Sequence, residues 1–428
     1  MKFCDMPYER IDVKAATEAL DAAAERLSAA KTIEEAEKAF AEREKIISHV
    51  QTMSTIAYIR HTVNTLDEFY EKENDFNDEN APLIEQSEQK FTEAMLGSPL
   101  RAQLEEKYGK LMFVNAGLSR RCFSPEIIPD LQEENKLSSE YQKLIASAQI
   151  DFNGEKLSLS QLGAYKENAE RDVRRAAYEA ESGFYMAHAD ELDRIFDSLV
   201  KCRTRIAKKL GFNTFTELAY CRQTRNCYDA KDVSAFRSRI VRDIVPVVCR
   251  LKEMQKKRIG IDDMKIYDDP FAFKEGNPKP DGSSEDILAA GKKMYEQMSP
   301  ETGEFINFMY DNALMDVLSA KGKAAGGYCT EILEYKSPFI FSNFNGTSGD
   351  VDVLTHEAGH AFAYYSVRDK MELCDQISLA QPRPYPAVVY LAEPGGLRGA
   401  LDVHGVLCVA VARAVLRLGC RALALCPS

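Results

Sequence analysis

The segment Asp352-Val-Leu-Thr-His-Glu-Ala-Gly-His-Ala-Phe362 decides how this chain is interpreted. It has the spacing H-E-x-x-H, at His356, Glu357 and His360. Residues i and i+4 of a helix lie on one face, so both imidazoles can contact a single metal ion. Glu357 lies on the same turn, where it can take a proton from a metal-bound water. The segment therefore predicts one zinc ion per chain, with His356 and His360 as ligands and Glu357 as the general base.

The alternative interpretation is that the two histidines are solvated or core residues of an ordinary helix. The chain has 6 His in 428 residues. At that frequency the pattern would arise by accident in roughly one of a hundred such chains. We therefore prefer the metal site.

Composition limits the partners and the compartment. The net charge of −12 argues against nucleic acid or an anionic membrane as the main partner. The longest apolar run, from Val406 to Ala412, is far shorter than the ~20 residues that span a bilayer. The N-terminus has no apolar segment typical of a signal peptide. The 11 Cys include no C-x-x-C pair, so reduced thiols and a cytoplasmic location are expected.

Apolar spacing predicts helices over residues 11–95 and 161–251, with Thr32 and Glu35 forming a capping box. Residues 68–79 are acidic and are expected to form a solvated helix end and loop. Asn153-Gly154 predicts a β-hairpin over residues 150–157. The charged residues that follow are expected to form salt-bridged helix surface: Arg171, Asp172, Arg174, Arg175 and Glu179. Residues 259–284 are predicted to be a long loop.

Two β-rich strings precede the metal motif, Gly326-Gly-Tyr-Cys-Thr330 and Pro338-Phe-Ile-Phe-Ser-Asn-Phe-Asn-Gly-Thr347. They predict a small sheet, which either borders the substrate site and holds an extended peptide by its edge or only supports the helix. Asp350 or Ser348 is expected to cap a helix that begins near Val351. The candidate substrate-binding residues are Gly326, Gly327, Tyr328, Phe344 and Asn345.

Together these strings resemble the M3 metallopeptidase family, of the oligoendopeptidase F type. The resemblance covers residues 1–380 and rests on the segments 58–62, 67–71, 123–128, 130–136, 326–330, 343–347 and 352–362. It implies a mainly α fold with two helical lobes around a deep substrate cleft and a small β-sheet beside a thermolysin-like metal helix. It also implies zinc at the floor of the cleft and short peptides as substrates. We expect four regions: an N-terminal helical region (1–110), a helical body (111–320), the catalytic sheet and helix (321–380) and an aberrant tail (381–428).

The tail departs from the family, whose third zinc ligand is a Glu in a string such as E-A-C-E-x-x-S-M-S-M-E-F. No such string is present. Permitted codons for residues 400–417, read one nucleotide later, encode R-S-M-S-M-E-F-F-A-W-P-W-L-E-R-F-F, and the chain contains no Trp. A frameshift between about Leu379 and Leu391 is therefore expected, the alternative being a divergent C-terminal helix. Glu372 could in principle replace the missing ligand.

The predicted function is a zinc metalloendopeptidase that hydrolyses oligopeptides by Glu-assisted attack of a zinc-bound water. Since two imidazoles fall short of the three protein ligands usual in catalytic zinc sites, an inactive truncated relative that binds zinc or peptide weakly is the alternative. An H-E-x-x-H enzyme acting on something other than peptides is a third possibility.

Overall fold

The computed structural model describes residues 1–369, of which helices form the larger part. The predictions for Glu372, for the frameshift and for the tail lie outside the described residues. Six helices come first along the chain. They are α1 (Val13–Ala29), α2 (Ile33–Val63), α3 (Glu68–Gly97), α4 (Arg101–Tyr108), α5 (Lys110–Arg121) and α6 (Ile128–Ala146).

A two-stranded antiparallel hairpin follows, with β1 (Ile150–Phe152) paired to β2 (Glu155–Leu157). Asn153 and Gly154 form its turn with φ values of 52° and 82°. Asn and Gly are the residues that adopt positive φ most readily, so the predicted hairpin is confirmed for the expected reason.

The middle of the chain is helical again. Its helices are α7 (Leu159–Leu162), α8 (Arg171–Ala187), α9 (Ala189–Lys209), α10 (Phe215–Arg222), α11 (Ala230–Arg239) and α12 (Val245–Ile259). A π-helical turn, Ile240–Ile244, joins α11 to α12. The next α-helix begins at Ser284, and between it and α12 there is only one 3₁₀ turn, Ile266–Asp268. The predicted long loop is thus confirmed.

The last part contains α13 (Ser284–Met298), α14 (Pro300–Asp311), β3 (Met315–Leu318), β4 (Tyr328–Ile332), β5 (Ser337–Phe344) and α15 (Ser348–Val367). The sheet order is β3-β5-β4, with β3 parallel and β4 antiparallel to β5. Helix α15 carries the H-E-x-x-H motif and packs against this sheet. The predicted mainly helical fold with a small sheet beside the helix that carries the H-E-x-x-H motif is confirmed, although β3 was not foreseen.

One hydrophobic core joins distant parts of the chain around α15. Ile56 and Ile59 of α2, Phe305 of α14 and Phe341 of β5 are all buried in the same cluster as Phe362. Residues from the predicted N-terminal and catalytic regions therefore share a core, and the metal helix is held from several sides. None of the helices in residues 1–369 is long and apolar enough to cross a membrane.

Three local predictions need correction. Residues 68–79 belong to the continuous helix α3, and Glu73 is buried because Arg10 and Tyr8 bond its carboxylate. Arg174 is not a surface residue: only 1% of its side chain is exposed. Its guanidinium donates to Asp268 at 2.9 Å and lies 4.0 Å from the ring centroid of Phe271. The third correction concerns the cap of α15 and is given with the site.

The ion pair between Arg174 and Asp268 ties α8 to the loop after α12. Burial alone would raise the pKa of Asp268, but hydrogen bonds from Arg171, the Lys265 N–H and Arg174 together lower it. The carboxylate is therefore charged in the folded protein at neutral pH, and removing one of its partners leaves buried charge poorly compensated.

We predict that Arg174→Met lowers the free energy of unfolding by about 3 kcal/mol, the lower end for a broken buried ion pair because Arg171 still contacts Asp268. Urea denaturation measures this. Arg175→Met is the matched control, since the neighbouring Arg175 is exposed and, within residues 1–369, forms its ion pair with the exposed Glu179. Equal unfolding midpoints for the two variants would contradict a structural role for the buried pair.

Candidate metal centre and active site

The turn between β5 and α15 fixes where the metal helix begins. The side chain of Thr347, the residue before α15, accepts the N–H of Gly349. The buried carboxylate of Asp350 accepts the N–H groups of Asn345 (2.9 Å) and Gly346 (2.7 Å). Thr347 is therefore the N-cap, and the prediction of Asp350 or Ser348 is wrong. Asp350 instead folds the turn back onto the first turn of the helix.

His356 and His360 lie one turn apart on α15, as predicted. Their Nε2 atoms are 3.1 Å from each other and their ring centroids 4.8 Å apart. Both side chains are half-buried. Two ring nitrogens that converge in this way can bind the same cation, provided that both imidazoles are neutral.

Burial favours the uncharged forms of the site residues. It raises the pKa of Glu357 to about 7. It also lowers the pKa of His360, with a further contribution from His356. A neutral His360 is the metal-binding form, and a carboxyl group with a pKa near 7 can exchange a proton at physiological pH.

The imidazole nitrogens of His356 and His360 are chemically suitable ligands for zinc, but they are only two. Imidazole nitrogens are common zinc ligands, and a cation beside Glu357 would favour its ionised form. Within residues 1–369, however, no group of three His, Cys, Asp or Glu is arranged to hold a metal ion. The described part of the chain thus offers two candidate ligands, one fewer than the three protein ligands that catalytic zinc sites usually have.

Gly326 and Gly327 shape the approach of β4 to the metal helix. Gly326 has a φ of 92°, which disfavours any side chain. A Cβ on Gly327 would lie 3.3 Å from the Phe341 carbonyl oxygen and 3.4 Å from Cγ1 of Val353 on α15. Gly327 therefore allows close packing of the chain against β5 and α15, and Gly326 allows the backbone conformation just before it, whatever either residue does for a substrate.

The other three substrate-binding candidates make contacts within the protein. Tyr328 stacks on Phe341 at 4.7 Å, and its hydroxyl lies 2.6 Å from that of Thr62. Phe344 is 5% exposed and belongs to the core. The Asn345 amide donates to the Ser160 carbonyl at 3.0 Å. Their role in substrate binding stays a prediction.

Three polar residues near the motif were missed. Cys329 and Glu331 are two apart on β4 and so share one face, and Tyr364 is four residues beyond His360 on α15. Electrostatic coupling links Cys329 to Glu357 and to Glu331, and Glu331 to Tyr364. Burial raises the pKa of Glu331 to about 7. The period-2 pattern of the strand was the signal that could have grouped Cys329 with Glu331.

Comparison with known proteins gives the family. The Peptidase M3 N-terminal domain matches residues 3–123, and Peptidase family M3 matches residues 164–375. A structure assigned as oligoendopeptidase F from Bacillus anthracis strain Ames is 48% identical, with a TM-score of 0.85, and the match covers 86% of this chain and 68% of that one. This chain belongs to peptidase family M3. The resemblance stated from its motifs is confirmed.

Two other relatives of this M3 chain define how much of the family fold is matched. PZ peptidase A, solved with an inhibitor, is 48% identical with a TM-score of 0.85, over 86% of this chain and 65% of its own length. The chromosomal oligoendopeptidase F of Lactococcus lactis subsp. cremoris is 27% identical over 49% of this chain. The chain spans about a third, 34%, of that curated relative and about two thirds of the solved ones.

The raised pKa values near 7 predict a pH-dependent stability for the metal-free chain. Glu331 and Glu357 bind protons more tightly when folded than at their ordinary pKa of 4.5. Between pH 4.5 and 7 the folded state therefore holds more protons, and stability falls as pH rises through this window. Glu331→Gln should remove part of that fall.

The measurement is the difference in unfolding free energy between Glu331→Gln and the parent chain in chelator, taken at pH 5 and pH 8. We expect the variant to gain on the parent as pH rises, because other titrating groups cancel in the difference. Glu357→Gln should behave in the same way. Parallel curves for the parent and both variants would contradict the burial of these carboxyl groups.

Proposed function

We propose that residues 1–369 carry the catalytic centre of a zinc-dependent peptidase that hydrolyses oligopeptides in the cytoplasm. The observation that carries this proposal is the convergence of His356 and His360, 3.1 Å apart, next to the buried Glu357. Membership of family M3 supports peptides as the substrate class. Neither nucleic acid nor membrane is proposed as a partner, in keeping with the net charge of −12.

The proposed roles follow from the side chains. His356 and His360 would hold Zn²⁺ through their Nε2 atoms. When bound there, the ion supplies Lewis acidity, which lowers the pKa of water and polarises a scissile carbonyl. Glu357 accepts the proton of the attacking water and can then deliver it to the leaving amine. Its burial suits proton delivery because burial favours the neutral carboxyl group, whereas a cation bound beside it would favour the ionised form that accepts the proton.

Strand β4 offers a surface for an extended peptide. It lies at the edge of the sheet order β3-β5-β4 and, among the described residues, pairs with β5 alone. An edge strand presents N–H and C=O groups that can bind a peptide backbone irrespective of its side chains. We propose that substrate binds along this edge, with Gly326, Gly327 and Tyr328 at the start of the strand. Phe344 and Asn345 would support the site from β5 and its following turn.

A second function is favoured by the ligand count. Since the described residues provide two imidazoles and no third ligand beside them, the chain could bind zinc or peptide weakly without hydrolysis. The two functions differ in a measurable way: one requires chelator-sensitive cleavage, and the other allows metal or peptide binding alone.

We predict that Glu357→Gln leaves the zinc content of the purified chain unchanged, because it removes the base and no ligand. Its cleavage of a quenched fluorescent oligopeptide should fall about 10²–10⁴-fold, the usual contribution of a general base. Elemental analysis and initial rates measure the two effects. Residual activity close to that of the parent would exclude Glu357 as the base.

His360→Ala is predicted to lower zinc content, since it removes half of the described ligand set. His188→Ala is the matched control, because His188 lies between α8 and α9, not on α15, and contacts Phe184 and Glu191. Unchanged zinc stoichiometry in His360→Ala would mean that α15 is not the metal site. A parent chain that binds zinc yet cleaves no peptide would favour the second function.

A further inference from the structure

Strand β4 turns alternate side chains towards two different helices, because successive residues of a strand point to opposite faces. The hydroxyl of Tyr328 lies 2.6 Å from a threonine hydroxyl on α2. Residues of the opposite parity turn towards α15: a Cβ on Gly327 would lie 3.4 Å from Cγ1 of Val353, and Cys329 is coupled electrostatically to Glu357. This second face of β4 therefore lies along the helix of the candidate metal site.

Glu331 is the next residue on the face that lies along α15. Its carboxyl group is coupled electrostatically to Tyr364, which is four residues beyond His360. The neighbours of β4 thus advance along α15 from Val353 to Glu357 to Tyr364 as the strand proceeds. Since two strand residues span about 7 Å, Glu331 lies about that far along the strand from the residue coupled to Glu357.

Glu331 lacks a cationic partner in the described part of the chain. It is partly buried, and among residues 1–369 no Lys, Arg or His forms an ion pair with it. Burial raises its pKa to about 7, against a smaller opposite effect of its own backbone N–H. Arg368, which acts on the neighbouring Tyr364, pairs with Glu304 and Asp369 instead. A cation supplied by a ligand would offset the cost of burying this carboxylate.

A peptide on the free edge of β4 can supply that cation. Residues directly opposite each other in a sheet point to the same side, so alternate peptide side chains would share the face of Cys329 and Glu331. The side chain opposite Glu331 is then two residues from the one opposite Cys329, the residue coupled to Glu357. We propose that Glu331 forms a substrate subsite for a cationic group, a basic side chain or a terminal ammonium, about two residues from the scissile bond. This inference rests on the proposed binding of peptide along β4.

Equilibrium binding of short labelled peptides tests the subsite. The full 428-residue chain carries Glu357→Gln in every variant, so that bound peptide is not hydrolysed. The peptides are alanine-based, acetylated and amidated, and hold one Lys or one norleucine at each position in turn. Norleucine keeps the carbon chain of Lys without its ammonium group. A further peptide has a free N-terminal amine and no Lys, which distinguishes the two sources of the cation. Fluorescence anisotropy measures the dissociation constants.

We expect Lys to bind about 3- to 10-fold tighter than norleucine at one position only, or the free amine to bind tighter than its acetylated form by the same factor. Glu331→Gln, which is isosteric, should abolish that difference. Glu331→Asp should retain part of it, because the carboxylate is kept. Glu334→Gln is the matched control: it removes the same charge from the turn after β4, where Glu334 contacts His49 of α2, and should keep the full preference. Circular dichroism checks that each variant folds.

Three results would overturn the subsite. They are equal binding of charged and uncharged peptides at every position, a preference that Glu331→Gln leaves intact, and a lower zinc content in Glu331→Gln, which would make Glu331 a metal ligand. A charge preference together with a parent chain that cleaves nothing would count against the proposed peptidase alone. Cleavage without a charge preference would count against the subsite alone. A chain that binds none of the peptides would overturn both the peptide-binding edge and the subsite.

Discussion

The site depends on the bonds that the buried Asp350 accepts from the backbone of the preceding turn. A carboxylate that receives the N–H groups of Asn345 and Gly346 fixes the angle at which α15 leaves β5. The position of His356 and His360 follows, because a helix is rigid once its first turn is set. Gly327 and the core residues around Phe362 then hold the same helix from the sheet side. The two imidazoles are thus positioned by backbone geometry and by packing of α15.

Local signals predicted local structure well. The capping box of Thr32 and Glu35, the Asn153-Gly154 turn and the helix under the H-E-x-x-H motif each depend on residues within four positions of one another. The predictions that failed concern features that depend on contacts between residues far apart in the sequence. Strand β3 is recognised only through its parallel pairing with β5. Arg174 can be buried because its guanidinium is paired with the carboxylate of Asp268, which is 94 residues away in the sequence. A charged residue on an amphipathic helix gives no local sign that its partner lies in a distant loop.

In the candidate site, too, the sequence predicted the local features and missed those that depend on distant contacts. Residue spacing was enough to place His356, Glu357 and His360 together, but it gave no information on burial. The raised pKa of Glu357 comes from desolvation by surrounding elements, which a sequence motif does not encode. Cys329 and Glu331 went unnoticed because the interactions of Cys329 with Glu357 and of Glu331 with Tyr364 require β4 to pack along α15, a contact between segments more than twenty residues apart.

The net charge of the whole chain does not show how charged and apolar residues are distributed over its surface. A net charge of −12 suggests a uniformly acidic surface, yet residues 230–259 hold nine Lys and Arg against three Asp and Glu, and their Phe236 and Leu251 are more than half exposed. Both properties are unfavourable for an exposed helical segment. Exposed apolar area costs free energy in water, and clustered like charges repel each other. Within residues 1–369, His356 and His360 are likewise joined by no third candidate metal ligand. A single net charge therefore reports neither the exposed apolar residues of this segment nor the side chains that surround Glu357.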